Sequence, residues 1–278
     1  MRTSSRRSSI ASGAEPGGAR AAGIRRPSPR PRGGASATAG ILFALAALPS
    51  AAAAQSPWIV DRGRFEVRIE GVPRGQESFA IRRQGAEYMA VGRISREGAG
   101  VWIGSAEIGL RTDGRFVPVR YEYRTLQRPP TRVIATRAGS RIRITTTDQT
   151  GERMTEIGAG PGLLLLQTGV VHHYWFLVRR LQGARAGEGG TVEAVTPADV
   201  RRMGVELASV EPDRVAGPRG GTIEATRYEI RIGDVLHRVW VESESGRVLR
   251  AEIPEQGWSA VRVAEATDQG EQPEGSEP

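Results

Sequence analysis

Apolar and charged residues alternate with a two-residue period along much of this chain, a period typical of β-strands that bury one face. The segment HRVWVESESGRVLRAEIP, residues 237–254, shows this period on both sides of a short turn at Ser-Glu-Ser-Gly. Val239 and Val241 share one face of the first arm, and Leu249 and Ile253 recur in the second. The pattern predicts two antiparallel strands that bury this apolar face.

Trp240 differs from its neighbours because it falls in register with arginines and glutamates. Either its face meets solvent, with the indole against arginine side chains, or this face is the wall of a ligand cavity. We expect the first arrangement, with Trp240 on the convex, charged face and Val239, Val241, Leu249 and Ile253 directed towards the helix. A Trp240→Ala substitution is then expected to cost little stability and to leave ligand binding intact.

The same alternation recurs between short turns rich in Gly, Asp and Ser. Short connections favour antiparallel neighbours, since a parallel pair needs a crossover of about a dozen residues or more. The chain is therefore predicted to be mainly β, an antiparallel meander that curls into a half-barrel or barrel. Besides the 237–254 hairpin, strands are predicted near residues 65–69, 76–82, 86–94, 101–110, 117–123, 131–137, 141–147, 151–157, 191–195, 203–210, 222–231 and 257–264.

One segment, GPGLLLLQTGVVHHYWFLVRRLQG, breaks the two-residue period. It begins with an apolar run at 163–167, which predicts a short buried strand. Apolar residues then recur at spacings of three and four, which predicts an amphipathic helix over about 169–182. Arg179 and Arg180 suit the C-terminal end of that helix, and Gly183 follows it. We expect this helix to pack against the concave face of the sheet.

The first 54 residues have a different composition, with eight arginines and one acidic residue. They end in an apolar stretch, 39–48, followed by small residues, which is the pattern of a secretory signal peptide. We expect cleavage near Ala54 and a periplasmic or secreted protein. The sequence leaves open a retained anchor, the true translation start, and the choice between general and twin-arginine export.

Three regions follow from these patterns: a leader and signal peptide over 1–54, a single β domain over 55–265 and a disordered acidic tail over 266–278. The formal net charge of the whole chain is +8, and the leader supplies seven of those charges. The remaining chain has 31 basic and 30 acidic residues, a net charge of only +1, so a nucleic-acid partner is not expected. No transmembrane segment is expected in the mature chain.

The order of these elements resembles the half-barrel proteins of the bacterial envelope, the lipoprotein carriers of the LolA and LppX type and related uncharacterised exported domains. The resemblance covers most of 62–264 and rests on exported antiparallel strands, a helix against the concave face and the late 237–254 hairpin. It implies an apolar cavity between sheet and helix that can hold a lipid-like ligand. In those carriers the helices come earlier and more than once, whereas here the helix is late. Candidate ligand contacts are Tyr121, Tyr123, Tyr174, Leu177 and Leu181.

Few residue patterns point to catalysis or to a metal. His172 and His173 are adjacent, and neighbours on a helix diverge by about 100°, so we expect one to be partly buried and the other to lie at the surface. No H-E-x-x-H spacing and no complete G-x-S-x-G motif is present, and the chain has no cysteine. We therefore expect no metal, no cofactor, no disulfide and no catalytic residue among these candidates.

The function expected from the sequence is non-enzymatic: an exported envelope protein that binds an apolar or lipid-like ligand, or that accompanies another envelope protein. Two alternatives remain open. One is a hydrolase whose catalytic residues are too dispersed along the chain to form a motif. The other is a structural or protein-binding β module that uses an exposed sheet edge.

Overall fold

The computed structural model describes residues 56–96, 105–182 and 192–264. The expected leader, its cleavage site and the acidic tail lie outside these residues. The described chain is mostly β, with one open sheet of 15 strands and one α-helix. The strands are β1 (Trp58–Ile69), β2 (Val72–Gln84), β3 (Glu87–Arg96), β4 (Ala106–Thr112), β5 (Pro118–Thr125), β6 (Arg132–Ala138), β7 (Arg141–Asp148), β8 (Gly151–Gly158), β9 (Leu163–Leu165), β10 (Val192–Thr196), β11 (Arg201–Ala216), β12 (Thr222–Ile232), β13 (Val235–Glu242), β14 (Val248–Ile253) and β15 (Trp258–Val263).

The sheet is two antiparallel meanders joined along β1 and β15, the first and last strands of the chain. One meander runs from β1 to β8 and the other from β15 back to β9. The sheet does not close, but it curls far enough for the edge strand β9 to contact β5. The predicted mainly β, curled architecture is confirmed, and its predicted strands match those observed, except that residues 101–104 of the strand predicted at 101–110 lie outside the described residues.

One strand pair departs from the antiparallel pattern, since β9 and β10 run parallel. The helix α1 (His173–Gln182) lies between them in sequence and supplies the crossover that a parallel pair requires. This helix begins four residues later than the predicted start at 169. Its buried side chains include both aromatic and aliphatic residues. Among the described residues no helix is long and apolar enough to cross a membrane.

The core fills the inner face of the curled sheet together with α1. Inward residues alternate with outward ones along the strands, as in β3, where Ala90 and Ile94 are buried and Val91 is exposed. The side chains of Leu177 and Val178 are also buried in this core. The two-residue period of the sequence therefore identifies, for most strands, the side that faces the helix.

Trp240 lies on the opposite side from this main core, as expected. Its ring packs in a separate small cluster with Val215, Ala225 and Leu249. The Arg250 guanidinium carbon is 5.1 Å from the ring centroid, which confirms the expected contact between indole and arginine. The Trp240 Nε1–H also donates to Oδ2 of Asp213 at 2.8 Å. This cluster forms a second, smaller core on the outer face.

The prediction for Leu249 is wrong, because Leu249 packs with Trp240 rather than with the main core. The register explains the difference: Trp240 pairs with Arg250, but Val241 pairs with Val248. The extra residue in β14 is a bulge, which reverses the alternation at that point. Val239, Val241 and Ile253 do face the main core, as predicted.

A buried ion pair joins the two meanders where β1 meets β15. The Arg262 guanidinium donates to both carboxylate oxygens of Asp61, at 2.7 and 3.2 Å. It also donates to the carbonyl of Val248 and lies over the rings of Phe65 and Phe79. Both charged side chains are buried. The first and last strands are therefore held together by charge as well as by the strand ladder.

Candidate functional site

The start of α1 is held inside the sheet by a carboxylate from β2. The helix has no acidic residue in its first turn, and Glu77 instead accepts from the backbone just before the helix. Its Oε2 accepts from the Val171 N–H and its Oε1 from the His172 N–H, each at 2.8 Å. Glu77 is fully buried. The helix therefore starts where this side chain meets it, and not at residue 169.

Three neighbours position the His172 ring. Its Nδ1 lies 2.8 Å from Oε1 of Glu77, and its ring stacks on Phe79 with centroids 5.9 Å apart. The third neighbour is Gly92 of β3, where a Cβ would lie 2.5 Å from the ring carbon Cε1. The other ring nitrogen, Nε2, is buried and has no hydrogen-bond partner among the described residues.

His173 is buried as well. Its Nδ1 accepts from the Gln167 N–H at 3.0 Å, and its Nε2 has no partner among the described residues. Burial, with a smaller effect from neighbouring His172, holds the pKa of His173 well below its usual range. The expectation that one histidine lies at the surface is wrong, because His172 precedes the helix and turns inward to Glu77.

Other buried polar groups surround this pair. Arg96, at the end of β3, donates through Nη2 to the Gly169 carbonyl, but its Nε and Nη1 have no partner among the described residues. Burial lowers the pKa of Arg96, and the nearby Glu77 acts in the opposite direction. The Tyr121 hydroxyl likewise lacks a partner in the described chain, and burial raises its pKa. Buried polar atoms without partners commonly mark sites of water or of a ligand.

A cavity of about 60 Å³ lies beside His173, between the N-terminal end of α1 and strands β11 to β13. Two polar side chains on its wall are joined, since the Tyr174 hydroxyl and Nδ1 of His237 are 2.7 Å apart. Burial lowers the pKa of His237 to about 4. The wall also includes Gln167 and His173, and its apolar lining residues are Leu166, Val170, Met203, Ile232, Val235 and Ile253.

The five candidate ligand contacts are all buried in the core. Tyr174 lines the internal cavity. Tyr123 borders a different concavity, described below, while Tyr121, Leu177 and Leu181 line neither. The sequence did not single out Glu77 or Arg96 as inward-facing. A signal was present, because Glu77 falls in register with the apolar residues Phe79 and Ile81 of its own strand.

A larger concavity, of about 940 Å³, lies on the outer face of β2 to β6. Its floor is made by small or short side chains, Ser78, Ala80, Val91 and Gly109. Five charged residues also line this concavity: Arg93, Glu107, Glu122, Arg124 and Arg132. We call this surface the outer groove. It was not predicted, although short outward residues at neighbouring positions of the predicted strands were visible in the sequence.

The Glu77 carboxylate is fully occupied by groups of the protein itself. Both oxygens of Glu77 are occupied by backbone N–H groups, and its Oε1 also holds His172. A general base needs its acceptor within hydrogen-bond reach of a proton on the substrate, and this carboxylate faces a helix terminus instead. Among the described residues no group of three or more His, Asp or Glu is placed to hold a metal ion.

Comparison with known proteins gives no relative for this chain. No protein family, no curated protein and no solved structure matches it.

Proposed function

We propose that this chain is an exported, non-enzymatic envelope protein that binds an apolar or lipid-like ligand between the sheet and α1. The observation that carries the proposal is the cavity beside Tyr174, where an apolar lining meets buried polar groups. Ligand pockets combine these two features, an apolar wall for affinity and a few polar groups for orientation. The signal-peptide pattern of residues 1–54 supports the exported location.

Two residues of the cavity wall each carry a buried polar atom that supports a ligand with a polar end. Gln167 Oε1 can only accept a hydrogen bond. In His173, Nδ1 already accepts from the Gln167 N–H, so Nε2 is the ring nitrogen that remains for a ligand. Neither atom has a partner among the described residues. A hydroxyl or a protonated carboxyl group at the end of an acyl chain has the donor and acceptor that these atoms lack.

The size of the cavity sets a condition on the ligand. A volume of about 60 Å³ holds about two water molecules, and ligand pockets commonly measure roughly 300 Å³ or more. An acyl chain therefore enters only if side chains on the wall move. Met203 is half-buried at this wall, and methionine adapts to irregular space more readily than branched side chains. We propose that the ligand displaces Met203 and widens the cavity towards the outside.

The test combines mass spectrometry of lipids that co-purify with the protein and titration with a fluorescent fatty acid. Met203→Trp fills the cavity and should weaken fatty-acid binding tenfold or more. Val210→Trp is the matched control, since Val210 lies on the same strand, is 44 % exposed and is not part of the cavity wall. Binding that is equal in both variants would contradict the proposal. Turnover of an ester or glycan panel would favour a hydrolase instead.

A further inference from the structure

A row of arginines crosses the outer face of the sheet at right angles to the strands, from β1 into the outer groove. Successive pairings place Val263, Arg64, Ser78, Arg93, Glu107, Arg124 and Arg132 side by side on β15 and β1 to β6. Neighbouring strands are about 4.8 Å apart. Arg64, Arg93 and Arg124 therefore recur every second strand, about 10 Å apart, and Arg132 extends the row by one strand.

Of the four arginines in the row, only Arg132 has an ionic partner within the described chain, since its Nη2 lies 3.9 Å from Oε2 of Glu122. Other outward arginines form ion pairs, as Arg120 does with Glu122 at 2.5 Å. Arg93 and Arg124 are exposed, and none of the described carboxylates pairs with either. Glu107 lies between them in the row without forming an ion pair to them. The row has an excess of positive charge next to the small side chains of the groove floor.

The described chain ends at the start of this row. Val263 is the last residue of β15 and pairs with Arg64, and Ala264 follows it. The next residues, 265–278, have the sequence EATDQGEQPEGSEP. Their acidic residues fall at every third position, and the residues between them are Ala, Thr, Gln, Gly, Pro and Ser, with no bulky side chain. The five acidic residues are Glu265, Asp268, Glu271, Glu274 and Glu277.

The spacing of these acids matches the spacing of the arginines. A polyproline II segment has three residues per turn and rises about 3.1 Å per residue, so acids at every third position share one face about 9 Å apart. The arginines of every second strand are about 10 Å apart. The row from Val263 to Arg132 spans roughly 29 Å, which the 14 residues of the segment can cover in extended form.

We propose that residues 265–278 bind in the outer groove of their own chain as an extended segment, with their acidic side chains facing Arg64, Arg93, Arg124 and Arg132. Exposed ion pairs are weak individually. The segment is tethered beside the row, however, which gives it a high effective concentration there. The bound segment neutralises the arginine row and covers the groove floor, so it competes with any other anionic partner of this face.

The chain has no cysteine, so a spin label can be attached at one engineered position. The full chain with Gln269→Cys, a position about 19 Å beyond Val263 in polyproline II form, is labelled and the paramagnetic broadening of its backbone amides is measured. At roughly 0.01 M salt we expect broadening of amides along β3, β4 and β5 in the groove. It should disappear at about 1 M salt, where the Debye length falls to about 3 Å.

Variants distinguish specific binding from general attraction. In R93Q/R124Q the broadening should be lost at low salt. R219Q/R231Q makes the same change in charge at exposed arginines, on and beside β12, that also have no ionic partner in the described chain, and it should keep the broadening. Replacing Glu271 and Glu274 by Gln removes the opposite charges, so it should also reduce the broadening at low salt.

Two results would overturn the proposal. One is the same broadening in R93Q/R124Q as in the parent chain. The other is broadening that appears only between molecules, seen when spin-labelled chains are mixed with isotope-labelled chains that carry no spin label. The latter would assign the groove to a second copy. The amide spectrum itself shows whether each variant is folded, and every substituted arginine is exposed, so folding and binding are read separately.

Discussion

The carboxylate of Glu77 and the ring of His172 form a buried pair 2.8 Å apart that joins strand β2 to the start of helix α1. The two residues are 95 positions apart in sequence. The same carboxylate accepts two backbone N–H groups at the helix terminus. Glu77 therefore holds the backbone that leads into α1, and it fixes where the helix enters the sheet.

Glu77→Gln should destabilise the protein by about 1–3 kcal/mol. The amide keeps one acceptor oxygen but turns an NH₂ group towards a backbone N–H, which leaves buried donors unpaired. Glu87→Gln is the control, because Glu87 forms only an exposed pair with Arg111 and should change stability by about 0.5 kcal/mol or less. Denaturant unfolding of both variants measures the difference. Equal effects would mean that the buried carboxylate does not hold the helix.

Gly92→Ala should destabilise the protein by about 1–3 kcal/mol. A Cβ at Gly92 would lie 2.5 Å from the ring of His172, which is itself held by Glu77 and Phe79 and has little freedom to move. The ring nitrogen signals of His172 should shift in the same variant.

Gly109→Ala is the matched control for that experiment. Gly109 lies on the neighbouring strand β4, and its Cβ would meet only the Cβ of Glu122, at 4.0 Å. We expect stability within about 0.5 kcal/mol of the parent protein, or a small gain. A destabilisation as large as that of Gly92→Ala would show that strand propensity, and not contact with His172, sets the cost.

The strands could be predicted because one buried face imposes a two-residue period that local sequence records. The bulge in β14 could not, since Val248 and Leu249 are both apolar and only the register, with Trp240 opposite Arg250 and Val241 opposite Val248, reveals the extra residue. Glu77 could have been suspected from its register with Phe79. Its partners, the backbone N–H groups of Val171 and His172, could not have been predicted, because they are distant in sequence and meet Glu77 only when the sheet curls.

Trp240→Ala should cost about 3 kcal/mol or more, a larger loss than the sequence suggested. The ring is only 7 % exposed and packs with Val215, Ala225 and Leu249, so its removal leaves a cavity in the outer cluster. Arg250→Gln removes the cation from the ring face and should cost about 1 kcal/mol or less. Denaturant unfolding compares the two. A cost below 1 kcal/mol for Trp240→Ala would restore the original expectation of an exposed indole.

Stability should fall as the pH is lowered from about 6.5 to about 4, because of the buried His237. The pKa of His237 is about 4 in the folded protein against an ordinary value of 6.5, so in this window the unfolded chain binds a proton that the folded chain does not. Full stability is present above pH 6.5, and the loss accumulates to about 3 kcal/mol at the lower end.

His237→Gln tests this assignment, because glutamine keeps a polar group near Tyr174 but does not titrate. Unfolding free energies measured between pH 8 and pH 4 should fall less steeply for the variant, by up to about 1.4 kcal/mol per pH unit in the window. A smaller slope should remain, since His173 is also buried with a lowered pKa and acts in the same direction. If parent and variant lose stability in parallel, His237 is not the group that titrates, and the cavity beside Tyr174 is more open to water than its burial indicates.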